Sequence, residues 1–403
     1  MSASSVRVVS GVLLALASGT AAAVAQQPVT REEAVSAALA RGPRVARAAP
    51  DVLAARAEVS GARALQNPVA ALSYTGSVPT YHAELEIPLD FPWLRRARVR
   101  AAGAALASAR FRFAYERASA RYDAEAAYAR AWAAGGRARV SRQTAGDADS
   151  LLTLVRLRRE AGDASALDVE LVTVSAGQMA AAADADSVAA VAALLDLQLV
   201  MGLPANIVTI ALADSIEAPA EAAPVIGGVP LLVAAADATL ESGERALAFA
   251  RRSSLAAPSL TVGMEGGDPS GTEAGPLAII GLSVPLPLFN WNGAAIQAAT
   301  ASRDRARAEA EVTRRESEAA IAAAQRGLAA ALRRLERDRA VLGSARRVAE
   351  MTLLAYAEGA AALPSVLEAQ RTAREALASY LEDVAAANVA EAAWRLVTAW
   401  EDR

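Results

Sequence analysis

Three stretches of the chain alternate between apolar and polar positions with the two-residue period of a β-strand. At residues 82–89, the apolar face carries Ala83, Leu85, Ile87 and Leu89, and the polar face carries His82, Glu84 and Glu86. At residues 259–265, Leu260, Val262 and Met264 oppose Ser259, Thr261, Gly263 and Glu265; at 280–288, Ile280, Leu282, Val284, Leu286 and Leu288 oppose Gly281, Ser283, Pro285 and Pro287. Strands of about 9–11 residues with this pattern suit a barrel that has lipid outside and water inside. A half-buried soluble sheet shows the same alternation, so the strands alone leave both architectures open.

Long helical segments follow the strands. Residues Leu94 to Glu160 contain no proline and predict a helix of about 100 Å, several times the thickness of a bilayer core. A second long segment runs from Ala294 to Glu358. Within it a mostly apolar position recurs every seven residues, at Ile321, Leu328, Leu335, Leu342, Ala349 and Tyr356, which predicts a coiled-coil seam. A glycine-centred turn ends each long helix, and a second helix returns, at Leu167–Met201 and at Val366–Trp400.

A shorter helix is predicted before the first strands. Thr30 and Glu33 form a capping-box pattern, and the helix runs towards Gln66, where Asn67-Pro68 favours a turn. Pro43 and Pro50 should interrupt its early part, so that only the later stretch is regular.

An internal duplication relates the two halves of the chain. Ile87-Pro88-Leu89 recurs as Val284-Pro285-Leu286, and Gly162 recurs as Gly359, both at an offset of 197 residues. We therefore predict a first repeat at residues 26–203, a linker at 204–230 that is rich in Ala, Pro and Gly, and a second repeat at 231–403. Each repeat holds a helix, two strands and a long helical hairpin.

The N-terminal residues 1–25 have the pattern of a secretory signal. Arg7 provides the positive charge, Val8 to Leu16 the short apolar stretch, and Ala23-Val24-Ala25 a small-residue cleavage site near Ala25. No later stretch offers the roughly 18 consecutive apolar residues of a membrane-spanning helix. The sequence therefore predicts an exported protein without a transmembrane helix.

Composition excludes several classes of function. The chain has no cysteine and one histidine, which argues against disulfides and against a nitrogen- or sulfur-ligated metal site. A net charge of −3 leaves no basic surface for nucleic acid. No catalytic constellation is found, since Gly263–Gly267 is not followed by a helix and His82 has no supporting motif. We predict neither an enzyme nor a cofactor.

The order of elements resembles the TolC-like outer-membrane factor family over nearly the whole chain after residue 25. Arg158–Val169 is similar to the family's helix–turn–helix at the periplasmic tip, and Tyr356–Gly359 with Ser365–Ala369 is similar to its second copy. Gly281–Asn290 resembles the strand-to-helix passage of the heavy-metal branch, although Trp291-Asn292-Gly293 replaces the usual turn ending in Gln-Gly.

The resemblance implies a mainly α-helical chain with a membrane β-barrel part. Two structural repeats would supply four β-strands and long coiled-coil helices, and a homotrimer would close one twelve-stranded barrel in outer-membrane lipid. It further implies a periplasmic adaptor and an inner-membrane pump, of the RND type, as partners. A short strand connection, Gly76–Tyr81, predicts small external loops.

The resemblance also nominates site residues at the tip. Asp168, Glu368 and Tyr356 are candidates for a tunnel gate, in which the two acids would form rings that favour cations. Ordinary solvated helix starts would place acids at the same positions.

A second set of tip residues, Arg159, Gly162 and Gly359, is nominated for adaptor docking. A plain helix C-cap accounts for the glycines equally well.

Four aromatic residues near the predicted strand ends, Tyr74, Tyr81, Trp93 and Trp291, are candidates for the membrane interface. Strand-end packing in a soluble sheet would look similar, and His82 fits a strand edge better than a ligand position.

The function expected from this reading is a passive exit duct of a tripartite efflux system, with divalent metal cations as cargo and a role in heavy-metal resistance. Two alternatives stay open: a soluble periplasmic coiled-coil scaffold or adaptor, and the same duct serving drug efflux or protein secretion.

Overall fold

A computed structural model describes residues 26–77, 79–219, 228–253, 257–267 and 275–400. The predicted signal peptide, residues 1–25, lies outside this part of the chain, as do residues 220–227 of the predicted linker. In chain order the elements are β1 (Gln27–Val29), α1 (Arg31–Arg41), α2 (Pro43–Arg63), β2 (Val69–Tyr74), β3 (Tyr81–Pro88), α3 (Pro92–Glu160), α4 (Ala166–Val200), β4 (Ile210–Leu212), α5 (Leu231–Arg252), β5 (Ser259–Gly266), β6 (Leu277–Ser283), α6 (Gly293–Ala357) and α7 (Leu363–Val397).

The predicted mainly helical fold with four strands in one sheet is confirmed. The first half runs α2, β2, β3, α3, α4, and the second half repeats this order as α5, β5, β6, α6, α7. The four strands form an antiparallel sheet in the order β2-β3-β5-β6, so β2 and β6 are its edges. A separate pair of three-residue strands, β1 and β4, is parallel.

The helices continue the sheet as a wall. Near the sheet, neighbouring helices follow the order α2, α3, α5, α6, and beyond α5 they follow the order α4, α3, α7, α6. The helix α6 therefore lies at one side of the wall at both levels, with α2 and α4 at the other. At about 1.5 Å per residue, the 69 residues of α3 span about 100 Å, as predicted.

The first helical segment differs from the prediction. The capping box of Thr30 and Glu33 is present, but the helix ends at Gly42 and Pro43 begins α2. At the first position of a helix the backbone N–H has no partner within the helix, so proline loses no hydrogen bond there. Pro50 lies inside α2 and does not interrupt it. The early part is thus regular as well, because packing of α2 against α3 compensates for one missing hydrogen bond.

The predicted strand at 280–288 is wrong in its second half, because β6 ends at Ser283. Ser283 pairs with Ser259, the first residue of β5, so the next residue has no partner in register. Pro285 and Pro287 also lack the N–H that a ladder requires.

The core is thin and rich in alanine, and its largest cluster lies where the wall meets the linker. Tyr128 and Leu197 are fully buried there, next to Ile210 of β4 and Val29 of β1. The Tyr128 hydroxyl donates to the Val29 carbonyl at 3.2 Å and accepts from the Asp214 amide at 3.2 Å. The linker residues 204–219 thus pack against the helices.

A buried carboxylate ties three helices together at this level. Glu125 on α3 lies 3.6 Å from Arg31, 3.1 Å from Arg121 and 3.2 Å from Arg395 on α7. Its side chain is only 5% exposed. Because a buried charge needs paired partners, this cluster fixes the start of α1 and the end of α7 against α3.

Candidate functional site

One face of the four-stranded sheet is entirely apolar. The cross-strand register places the following residues on that face: Ala70, Leu72 and Tyr74 of β2; Tyr81, Ala83, Leu85 and Ile87 of β3; Leu260, Val262 and Met264 of β5; and Ala278, Ile280 and Leu282 of β6. No other described element covers this face, and Leu72 and Ile280 are 84% and 79% exposed. A contiguous exposed apolar surface of this size marks a site of interaction with a membrane or a partner.

The opposite face carries the charged residues of the sheet. Glu84, Glu86 and Glu265 lie on it together with His82. His82 Nδ1 lies 3.3 Å from a Glu265 carboxylate oxygen, and the Ser259 hydroxyl donates to Glu86 at 2.5 Å. The alternation in the sequence placed each glutamate on a polar face; only the register shows that the three lie on one surface.

The predicted interfacial aromatics lie at both ends of the sheet. Tyr74 and Tyr81 pair across the β2–β3 connection, with ring centroids 5.5 Å apart. Trp93 lies at the opposite end, at the start of α3, and stacks on Phe91 with a centroid distance of 4.3 Å. Trp291 stands just before α6 and is 63% exposed. Two exposed aromatic levels therefore flank the apolar face, as aromatic residues do at membrane interfaces.

The far ends of the long helices carry the same turn twice. Gly162 has a φ of 88° and Gly359 a φ of 76°, a left-handed conformation that glycine adopts without strain. At the first turn, the Asp163 amide donates to the Arg158 carbonyl at 2.8 Å and the Gly162 amide to the Arg159 carbonyl at 3.0 Å. This is a Schellman motif, and the Gly359 turn repeats both hydrogen bonds. The glycines are thus helix C-caps, and open space surrounds both.

The two returning helices begin differently. In α4, Ser165 is the N-cap, and the Asp168 carboxylate accepts from the Ser165 amide at 2.9 Å and from its hydroxyl at 2.7 Å. These hydrogen bonds, the hydroxyl one first, lower the pKa of Asp168. In α7, Ala362 is the N-cap and no side chain caps the helix.

The acid nominated on α7 is already compensated. Glu368 is exposed and lies 2.8 Å from Arg371 one turn along, and that hydrogen bond lowers the pKa of Glu368. Both nominated acids are therefore ionised at neutral pH, but of the two only Asp168 has no basic side chain in contact within the described part of the chain.

A small apolar cluster joins the two hairpins at the tip. Val155 of α3, Val172 of α4 and Leu363 of α7 are buried in it, and Tyr356 of α6 packs against it. The Arg158 guanidinium lies over the Tyr356 ring, 5.4 Å from its centroid. The structure thus brings Tyr356 into contact with the first hairpin, whereas Arg159 is exposed at the end of α3. Sequence reasoning missed Arg158, whose role depends on the register between hairpins.

Among the residues that the structure describes, none of the helices combines the length and the hydropathy that a membrane span requires. Within the described ranges, no group of three or more acidic, histidine or cysteine side chains is arranged to hold a metal ion.

No protein-family model matches this sequence, and no curated protein matches it either. Solved structures do match its fold. A membrane protein from Pseudomonas aeruginosa superposes with a TM-score of 0.77 at 19% identity, over 92% of this chain and 93% of that one. The CmeC outer membrane channel of Campylobacter jejuni gives 0.74 at 14% identity, over 91% and 85% of the two chains.

A third match is the outer membrane protein VceC from Vibrio cholerae, with a TM-score of 0.72 at 16% identity over 91% of this chain and 95% of that one. The chain has the TolC-like channel fold. In this fold, the sheet and the long helices form one continuous wall. The apolar and polar faces of the sheet lie at one end of this wall, and the two tip turns lie at the other.

Proposed function

We propose that this chain is an outer-membrane exit duct of a tripartite efflux system, which exports its cargo passively from the periplasm to the exterior. The observation that carries the proposal is the four-stranded sheet. Its uncovered apolar face, bounded by aromatic residues at both ends, suits lipid, and its glutamate-bearing face suits a water-filled lumen. A soluble scaffold or adaptor would leave such a face exposed to water.

Closure of the duct requires further copies of the chain. Strands β2 and β6 each have one unpaired edge within the described sheet, and open edges in lipid leave backbone groups without hydrogen bonds. Joining β6 of one copy to β2 of the next satisfies both edges. We propose a homotrimer, since the sequence resemblance implies twelve strands and each chain supplies four.

The helical edges support the same closure. On α4, an exposed apolar position recurs every seven residues at Leu167, Val174 and Val188, with Ala181 between them. Val341 and Val348 of α6 are exposed at the same spacing. Such a spacing is that of a coiled-coil seam that lacks its partner. The α4 edge of one copy would pack against the α6 edge of the next.

The remaining parts of the proposal follow from the predicted organisation. A signal peptide at 1–25 would be cleaved on export, and repeats at 26–203 and 231–403, joined by the linker 204–230, would form the wall. The tip, with Arg159, Gly162 and Gly359, would receive a periplasmic adaptor, which connects to an inner-membrane pump of the RND type. Asp168 and Tyr356 would act at the gate, with a lesser share for Glu368.

Cross-linking tests the trimer and its edges together. The chain has no cysteine, so one cysteine on β2 and one on β6, Ala71→Cys with Ile279→Cys, can be joined by a short bifunctional reagent without background. We expect an SDS ladder that ends at three chains, in the outer-membrane fraction. A matched pair on the inner strands and on the same face, Glu86→Cys with Thr261→Cys, lies directly opposite in register and should cross-link only within a chain. A monomer in the soluble fraction would refute the duct.

Divalent metal cations are the proposed cargo, and the resemblance of Gly281–Asn290 to the heavy-metal branch supports this choice. A deletion strain should become sensitive to zinc, cobalt or copper and keep its resistance to a drug panel. Sensitivity to the drugs alone would assign the duct to drug efflux and reject the metal cargo.

A further inference from the structure

A row of ion pairs crosses the helical wall at one level. Arg137 on α3 lies 2.9 Å from Asp186 on α4 and also pairs with Glu382 on α7. The Ser141 hydroxyl donates to the other oxygen of Asp186. The first hairpin is thus tied to the second through one arginine, beside a cavity of about 480 Å³.

The next residue along α7 extends the row to the last helix. Asp383 points the other way, towards α6, where its Oδ1 lies 3.0 Å from Arg334. One turn along α6 from Arg334, Asp338 accepts a hydrogen bond at 2.7 Å from the hydroxyl of Ser379, which lies one turn before Asp383 on α7. The two carboxyl groups lie in adjacent turns of the same seam and act on each other. Two carboxyl groups from neighbouring helices therefore share one contact.

Asp383 is buried on this contact, with its side chain 9% exposed. Its Oδ2 atom is fully enclosed and, among the described residues, has no hydrogen-bond partner. An enclosed carboxylate oxygen without a donor is costly, and a proton on that oxygen removes the cost if a neighbouring acceptor is present. Asp338 is such an acceptor.

The charges around Asp383 act on that proton in opposite directions, because Asp338 and Glu382 favour it and Arg334 disfavours it. They are Arg334, Arg337 and Asp338 on α6, Glu382 on its own helix and, beyond Glu382, Arg137 on α3. The positive charge of Arg337 lowers the pKa of Asp338, and Arg137 is paired with Glu382 and Asp186. In the part of the chain that the structure describes, Arg334 is the one cation in direct contact with Asp383, and it is 55% exposed.

Burial, followed by the hydrogen bond that a protonated Asp383 can donate to Asp338, raises the pKa of Asp383 to about 6. The hydrogen bond from Ser379 is the main cause that lowers the pKa of Asp338. These opposite shifts favour Asp383 as the group that holds the proton when the pair carries one.

We propose that Asp383 and Asp338 form a proton-operated clasp that closes α6 against α7 in the second hairpin. With the proton present, Asp383 donates to Asp338 and the contact is satisfied. Without it, two carboxylates face each other and share one half-exposed arginine. The clasp is therefore closed in mild acid and strained above neutrality. When it is strained, the contact between α6 and α7 loosens, in the hairpin that Glu382 links to the rest of the wall.

The direction of the pH dependence follows from the raised pKa. A carboxyl group that binds its proton more tightly in the folded chain stabilises the fold fully below its ordinary pKa, and this stabilisation disappears as the pH rises through about 6. Asp338, whose pKa is lowered, contributes in the opposite sense only in stronger acid. The informative comparison is therefore between about pH 5 and pH 7.5.

Amide hydrogen exchange of the full-length protein tests the clasp, whatever cargo or channel activity the protein has. Asp383→Asn replaces the proton with an amide that can donate to Asp338. At pH 7.5, we expect segments 334–338 and 379–383 to exchange about ten- to a hundredfold more slowly in this variant than in the wild type, since one pKa unit is a factor of ten. At pH 5, the two proteins should match. Comparison at equal pH cancels the intrinsic pH dependence of exchange.

Two further variants complete the test. Asp338→Asn supplies the donor from the other helix, so it should give the same protection at pH 7.5 and also serves if Asp383→Asn does not fold. Asp304→Asn, an exposed acid on α6 paired with Arg303, should change neither segment at either pH. Equal exchange of the wild type and both clasp variants at pH 7.5, or the same difference at both pH values, would overturn the proposal.

Discussion

The contact between Arg158 and Tyr356 allows the tip to be tested quantitatively. The guanidinium lies 5.4 Å from the ring centroid, at a partly exposed site where a cation–π contact contributes about 0.5–1 kcal/mol. This contact joins the end of α3 to the end of α6. Losing it should therefore make local separation of the two hairpin tips about two- to fivefold more frequent, since 1.4 kcal/mol is a factor of ten.

The perturbation is a double-mutant cycle of Arg158→Gln and Tyr356→Leu. Each single change should speed amide exchange at residues 160–165 and 357–362 by that factor, with some extra effect from Tyr356→Leu because its ring also packs against Val155 and Leu363. The double variant should exchange no faster than Tyr356→Leu alone, since a contact already lost cannot be lost again. Tyr356→Phe keeps the ring face and should change little. Additive effects of the two changes would show that the contact does not hold the tips together.

Three further predictions concern the sheet, the buried carboxylate and a turn. Leu72→Arg on the apolar face should destabilise the membrane-inserted protein by about 2–4 kcal/mol in urea titrations, whereas Ser73→Arg on the opposite face should cost far less; equal effects would contradict the lipid-facing assignment. Glu125→Gln should lower the unfolding free energy by about 3 kcal/mol, because three arginines lose their shared partner, and a loss below about 0.5 kcal/mol would show that solvent replaces it. Gly202→Ala should lower the thermal midpoint more than Gly162→Ala. Both glycines have a positive φ, but a Cβ on Gly202 would lie 2.3 Å from a backbone carbonyl oxygen at the end of α1, whereas a Cβ on Gly162 would point into open space.

Local patterns in the sequence predicted the long elements well. The predicted helix at 94–160 and the observed α3 differ by two residues at the start, and the capping box at Thr30 forms as predicted. These features depend on residues within one or two turns of each other. The same holds for Gly162 and Gly359, whose turns need only a left-handed residue after a helix.

Features that depend on long-range partners were not predictable in this way. Alternation suggested that the last strand continues to Leu288, but a strand exists only where a neighbouring strand supplies partners, and β5 begins opposite Ser283. Pairing of Arg137 with Glu382 joins residues 245 positions apart, and its register cannot be obtained from either helix alone. The three-residue pairing of β1 with β4 is likewise too short to leave a periodic signal.

The two nominated gate acids differ in a way that bears on selectivity. Asp168 caps its helix through Ser165, and the hydrogen bonds that lower its pKa keep it ionised throughout the neutral range. Glu368 is ionised as well, but it lies 2.8 Å from Arg371, which also pairs with Glu375 and therefore offsets part of its field. In a symmetric assembly, a ring of Asp168 would therefore present its charge without a paired cation, whereas a ring of Glu368 would be partly offset by Arg371. If cations are favoured at the tip, the first hairpin is the stronger source of that preference, and the second contributes through Glu368 in part and through Tyr356 and its packing.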